Sequence, residues 1–156
     1  MRNDEQEVNN LLFTYTHRFD EGDFEGAATL FQHAQIIVGA LGETVDYLGL
    51  LENWRRMVML CDSSGMPRTM HTCTNAIINI NLDDGTARAR SYYVVYQQTD
   101  SLPLQAIVAG RYVDTFELVA EQWRFSQRDY RLMEMIGNID EHLHHSKLIM
   151  AQQIDS

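Results

Sequence analysis

Val8, Leu11, Leu12, Tyr15 and Phe19 recur at intervals of three and four, which predicts an amphipathic helix over residues 5–19. Asp20-Glu21-Gly22-Asp23 then breaks the pattern: Gly22 offers the left-handed residue that stops a helix, and Asp23 can cap a second helix over 24–31. Ile36-Ile37-Val38 reads as a short strand. Helical spacing returns over 48–60 through Leu51, Trp54, Met57 and Val58, with Asp46 as the cap. Beyond the turn-rich Ser63-Ser64-Gly65-Met66-Pro67 the period changes from helical to alternating. Strands are expected over 69–82 and 86–97, flanking the hairpin signal Asp83-Asp84-Gly85, and over 105–119 and 122–134, joined by a tight turn at Ala120-Glu121.

Helices first and a four-strand meander afterwards specify an α+β fold with helices packed on one face of a bent antiparallel sheet. Strict alternation would put His71, Cys73, Asn75 and Ile77 on one face. It also groups Ala89, Ser91, Tyr93 and Val95, then Gly110, Tyr112, Asp114 and Phe116, and it opposes Trp123, Phe125 and Gln127 to Arg124, Ser126 and Arg128. Which set faces the interior depends on register. The expected organisation is a single domain over 1–140 with a C-terminal tail over 141–156 of weak helical character.

Composition narrows the function classes. The 156 residues, with 45% hydrophobic and 22% charged, are those of an ordinary globular domain, and no run is apolar for the 18 or so residues a membrane span needs. A formal charge of −10 repels phosphate backbones and anionic lipid, so neither nucleic acid nor membrane is expected as a partner. The charged N-terminal stretch lacks the apolar core of a secretory signal, which makes the cytoplasm the expected location. Cys61 and Cys73 are read as reduced, packing cysteines. His142, His144 and His145 have no companion ligands at a recognised spacing, so no metal is expected.

The order of elements, with Tyr15-Thr16-His17-Arg18-Phe19-Asp20-Glu21-Gly22-Asp23-Phe24, His71-Thr72-Cys73-Thr74-Asn75, Ala109-Gly110-Arg111-Tyr112-Val113-Asp114 and Trp123-Arg124-Phe125-Ser126-Gln127-Arg128, resembles the SnoaL-like branch of the nuclear-transport-factor-2-like superfamily. The resemblance covers nearly the whole chain. It implies a cone-shaped, cystatin-like α+β barrel, a curved sheet wrapped around the N-terminal helices and enclosing a pocket. The family includes scytalone dehydratase, bile-acid 7α-dehydratase, polyketide cyclases and the non-catalytic small subunits of ring-hydroxylating dioxygenases, so fold alone does not give function.

On the family pattern His71, Asp20 and Tyr15 correspond to the histidine, aspartate and tyrosine of the dehydratases, which work without metal or organic cofactor. The residue types suit the chemistry. A neutral imidazole accepts a proton near neutral pH and returns it to a leaving oxygen, a carboxylate orients the ring and compensates its charge, and a phenol donates to a developing enolate. Asn75, Tyr93, Arg128 and Trp54 are the candidate ligand contacts. Arg128 has a second reading as the ion-pair partner of Asp114 or Glu117. One departure from the dehydratases is plain: Tyr92 and Tyr93 stand where they carry another histidine or an aspartate. The resemblance thus implies a lyase or isomerase acting on a small cyclic or polycyclic hydroxy-carbonyl compound. The alternative is a non-catalytic module for ligand binding or assembly. Either way the ligand would be small, apolar and cyclic or aromatic, and the apolar outer sheet face suits a homo-oligomer, dimer or trimer.

Overall fold

A computed structural model describes residues 2–144. Helix α1 (Asp4–Asp20) starts where the Asn3 side chain accepts from the Gln6 amide at 3.1 Å, and it buries Val8, Leu12, Tyr15 and Phe19 along the stripe that the spacing marks. It ends at Gly22, whose φ of 78° is left-handed, and Asp23 caps α2 (Phe24–Thr29) by accepting from the Gly26 amide at 2.8 Å. Asp46 caps α3 (Tyr47–Met57) in the same way, through the Gly49 amide at 2.8 Å.

The remaining elements are β1 (Gln35–Ile37), β2 (Thr44–Val45), β3 (Thr69–Asn81), β4 (Thr86–Gln97), β5 (Gln105–Val119), β6 (Gln122–Asp129) and β7 (Met133–Ile136). They form one sheet of order β2-β1-β6-β5-β4-β3, with β7 pairing β5. Pairing is antiparallel except between β1 and β6, which run parallel. The sheet curves around the first helix, since α1 packs on both β3 and β6, three strands apart. The core therefore lies between the inner sheet face and the three helices, where Leu12, Phe31, Ile36, Phe116 and Phe125 are buried together.

Of the four register shifts in the sheet, two move candidate site residues off the strict alternation. Between Thr74 and Ile77 the register of β3 against β4 shifts, and Asn75 sits there exposed with a φ of 54°. Thr69, His71 and Cys73 face inward before the bulge; after it Ala76, Ile78 and Ile80 do, and Ile77 is 55% exposed. The face shared with His71 thus ends at Cys73 and includes neither Asn75 nor Ile77. The second shift lies between Thr115 and Phe116, which pair with Gln127 and Phe125 and leave Ser126 as the extra residue. Arg128 consequently turns inward on the same side as Trp123 and Phe125 instead of opposite them.

Other boundaries also move. The last long strand is two pieces, because the chain leaves the sheet at Tyr130 to Leu132; there the Tyr130 amide donates to Ile37 at 3.0 Å and Leu132 accepts from the Arg111 amide at 2.9 Å. The third helix stops at Met57, where Val58 turns extended and bridges Leu143. Residues 141–144 of the expected tail pack on the domain through His142 and Leu143; the rest of that tail lies outside the described residues. Among the described residues no helix is long and apolar enough to cross a membrane.

Candidate functional site

Asp20, the last residue of α1, meets the start of β3. Its Oδ2 accepts from the His71 backbone amide at 2.6 Å, and its Oδ1 accepts from the Thr69 hydroxyl at 2.8 Å and lies 2.6 Å from His71 Nδ1. Gly22 stops the helix just where this carboxylate is delivered, so the residue that ends α1 also builds the site. With Nδ1 held by the carboxylate, Nε2 is the ring atom left to exchange a proton with a ligand. The pair is shielded but not sealed: the His71 and Asp20 side chains are 6% and 18% exposed.

Aromatic rings surround it. Phe19 stands edge-on to His71 with centroids 4.9 Å apart, Tyr15 is 6.5 Å away, and Trp54 packs on both Phe19 and Tyr15 at 5.2 and 6.0 Å. The Tyr15 hydroxyl accepts from the Tyr130 hydroxyl at 3.0 Å, Tyr112 is a second hydrogen-bonding neighbour, and burial pushes the Tyr15 pKa well above that of a free phenol. Tyr15 is thus a neutral donor, not a base. Deeper in, Tyr93 stacks on Tyr112 at 4.2 Å, and burial raises the pKa of both. The Cys73 thiol donates to the Ser91 hydroxyl at 3.3 Å, and both cysteines are free.

Arg128 is fully buried and clamps Asp114 with two hydrogen bonds, Nε to Oδ1 at 2.7 Å and Nη2 to Oδ2 at 2.9 Å. Its guanidinium lies over Tyr112 at 4.0 Å and Tyr15 at 4.5 Å. Burial opposes charge on the guanidinium, but Asp114 and the neighbouring tyrosines more than offset it and raise its pKa; burial raises that of Asp114, with Arg128 pulling the other way. The structure thus brings His71, Asp20, Tyr15 and Trp54 together and places Tyr93 and Arg128 on the same interior, the latter tied to Asp114. Asn75 is not brought there.

His142, which the sequence reading passes over as one of several tail histidines, is buried on a turn tied to the Thr69–Gln97 rung beside the dyad. It is 5% exposed, and its pKa is depressed to about 4, chiefly by burial, with His71 adding to the effect and Asp20 opposing it. The signal available in the sequence is the apolar pair Ile139 and Leu143, which brackets a turn able to dock. His144 is exposed where His142 is buried, and His145 lies outside the described residues. Among the described residues no three histidine, cysteine or acidic side chains are placed to hold a metal. A recess of about 490 Å³ opens elsewhere, between Ile80, Ala87, Thr115 and Phe116. Ile80 is nine residues along β3 from His71, roughly 30 Å, which separates that recess from the dyad.

A family model for the SnoaL-like domain matches residues 1–129. The chain belongs to the SnoaL-like domain family. No curated protein matches it. Among solved structures, this SnoaL-like domain is similar to an NTF2-like protein with a cystatin-like fold from Novosphingobium aromaticivorans, at 19% identity over 81% of this chain and 79% of that one, with a TM-score of 0.64. From the same organism, a proposed scytalone dehydratase matches at 21% identity over 86% and 91% of the two chains, with a TM-score of 0.62. The beta subunit of a proposed aromatic-ring-hydroxylating dioxygenase matches at 18% identity over 83% and 89%, also with a TM-score of 0.62. At these identities the likenesses establish the fold of the SnoaL-like domain and leave its activity open.

The buried histidine gives this SnoaL-like domain a distinct acid response. His142 binds a proton in the unfolded chain below about pH 6.5 but in the folded chain only below about 4. Between those values the unfolded state holds more protons, so stability is full above the unfolded pKa and falls as pH drops toward the folded one, by up to about 3 kcal/mol. Urea midpoints at pH 7 and 4.5 should therefore diverge more for the wild type than for His142→Phe. Equal losses in the two proteins would exclude His142 from the acid limb.

Proposed function

We propose that this SnoaL-like domain is a cofactor-independent lyase or isomerase of the dehydratase type, acting on a small cyclic or polycyclic hydroxy-carbonyl compound. The observation that carries the reading is the His71–Asp20 pair, joined at 2.6 Å at the edge of an aromatic interior. An imidazole oriented by a carboxylate, flanked by Phe19 and Tyr15 with Trp54 packed behind them, suits proton transfer on a flat apolar ring.

In this reaction His71 Nε2 takes the proton from the carbon next to the carbonyl. The C–H electron pair delocalises into an enolate, whose oxygen accepts a hydrogen bond from Tyr15. The enolate then re-forms the carbonyl and a new carbon–carbon double bond as the bond to the β-hydroxyl breaks. That oxygen leaves as water with the proton His71 had taken, and Asp20 compensates the imidazolium in between. A β-hydroxytetralone is a direct probe, because loss of water converts it to a naphthol. Wild-type protein should release naphthol well above the buffer rate, measured by fluorescence and by the mass change of one water. No acceleration with this or any related β-hydroxy ketone would remove the proposal.

The second reading, an assembly module, is favoured by the outer sheet face. Thr72, Val94, Ala109 and Met135 form one cross-strand row over β3, β4, β5 and β7, with Met135 68% exposed and Met70 and Tyr92 nearby at 65% and 50%. Such a face suits association with a second copy or with a different chain. A failed turnover assay together with a stable complex between this chain and a different one through that face would shift weight to this reading, since a dimer or trimer of copies fits either.

A further inference from the structure

We propose that His142 Nδ1 is a ligand-binding atom of the same site, hydrogen-bonded to the oxygen of the bound ring compound, so that the C-terminal turn supplies part of the site. This inference rests on the lyase reading.

Its first support is an orphan. His142 is 5% exposed, and its Nδ1 is buried with no hydrogen-bond partner among the described residues. Buried polar side-chain atoms are nearly always paired, because an unpaired one keeps the full cost of leaving water, and an exception calls for a partner from outside the described residues, a ligand or a water. The ring is not loose enough to have drifted there. Met59 donates its amide to the His142 carbonyl at 2.7 Å, His144 donates to Met57 at 2.9 Å, and Val58 bridges Leu143, so the turn is laced to the segment that follows α3.

The second support is where the turn is tied to the sheet. Gln97 donates through Nε2 to the Glu141 carbonyl at 3.1 Å, one residue before His142. In the β3–β4 register Gln97 is the partner of Thr69, whose hydroxyl holds Asp20 at 2.8 Å. The Asp20 carboxylate and the turn carrying His142 therefore hang from the same rung of the sheet. The Glu141 carboxylate adds an anchor by accepting from the Thr99 and Ser101 hydroxyls. The charged and titratable neighbours that act on the His142 ring are His71 and Asp20, which are the dyad itself.

The chemistry of the ring sets the ligand class. A neutral imidazole presents Nδ1 either as a donor to a carbonyl or as an acceptor from a hydroxyl, depending on tautomer, so it fits an oxygenated ring and gains nothing from a hydrocarbon of the same shape. Gln97 Oε1 is likewise buried without a partner, and a single water shared with it is the competing occupant of His142 Nδ1.

The test uses the full chain and three proteins: wild type, His142→Phe, which keeps a flat ring without a polar atom, and His142→Asn, which sets an amide near the position of Nδ1. Calorimetric titration with 1-naphthol and with naphthalene is paired with the β-hydroxytetralone assay. Wild type should prefer naphthol to naphthalene; His142→Phe should lose about tenfold in naphthol affinity and leave naphthalene unchanged, and His142→Asn should stay within about threefold of wild type. If wild type converts the tetralone and His142→Phe binds naphthol equally well, the inference fails while the lyase reading stands. If wild type neither binds nor converts, both fall.

Discussion

Asp114→Ala should cost this domain about 3–5 kcal/mol, a large share of the roughly 5–15 kcal/mol by which ordinary domains are stable. Asp114 and Arg128 are both fully buried, cross-strand partners in the β5–β6 register, and joined by two short hydrogen bonds. Truncating the carboxylate strands a guanidinium among the rings of Tyr15, Phe31, Tyr112, Phe125 and Tyr130, with Nη1 already unpartnered and no route to water. The charge cannot be shed, since arginine stays protonated. The double replacement of Asp114 and Arg128 by Leu and Met should recover most of the loss, because an apolar pair of similar volume removes the uncompensated charge. Urea unfolding of the three proteins checks this. A single variant within 1 kcal/mol of wild type, by the usual precision of such extrapolations, would mean that water reaches the pair.

The second large effect is chemical. His71→Gln should lower turnover of the β-hydroxytetralone by about a hundredfold to ten-thousandfold, the range that a positioned acid–base group contributes. The amide keeps size and polarity but cannot shuttle a proton, so melting temperature and naphthol binding should hold close to wild type. Asp20→Asn should lose activity as well, because an amide no longer compensates the charged ring and favours the wrong tautomer. It should also cost stability, since Asp20 holds the Thr69 hydroxyl and the His71 amide as well as the ring. A His71→Gln enzyme with wild-type rate would remove the base from the mechanism.

Much of this architecture is legible in the sequence because local rules and tertiary structure agree there. The stripe Val8, Leu12, Tyr15 and Phe19 becomes the buried face of α1, Gly22 and Asp23 stop one helix and cap the next, and Gly85 turns the first hairpin with a φ of 61°. Alternation fails where one extra residue enters a strand. Asn75 is the type of residue that tolerates a left-handed φ, yet nothing in Thr74-Asn75-Ala76 distinguishes a bulge from a continuous strand, and one inserted residue flips every side chain beyond it. The bulge at Ser126 had a better clue. Asp114 shares an alternating set with Gly110, Tyr112 and Phe116, and a carboxylate on a buried face requires a cation, which only a register shift on the next strand could bring inward as Arg128.

The site divides along the same line. His71, Asp20 and Tyr15 are recognisable from the family pattern, and the structure sets the first two at hydrogen-bonding distance across 51 positions of sequence. His142 is signalled only by the apolar pair Ile139 and Leu143 that brackets it, because its burial depends on a single turn docking between Gln97 and Met59, contacts that no periodicity encodes. Its depressed pKa and orphan nitrogen are products of that docking and not of its immediate neighbours in the chain.

The most direct measurement of the central claim is exchange of the α-proton of a ring ketone in D2O, followed by NMR with wild type and His71→Gln. It isolates the proton abstraction assigned to the His71–Asp20 pair from loss of the leaving group. Deuterium should enter the α-carbon with wild type at a rate well above buffer and at the buffer rate with the variant; equal exchange with both proteins, or none with either, would contradict proton abstraction by the pair.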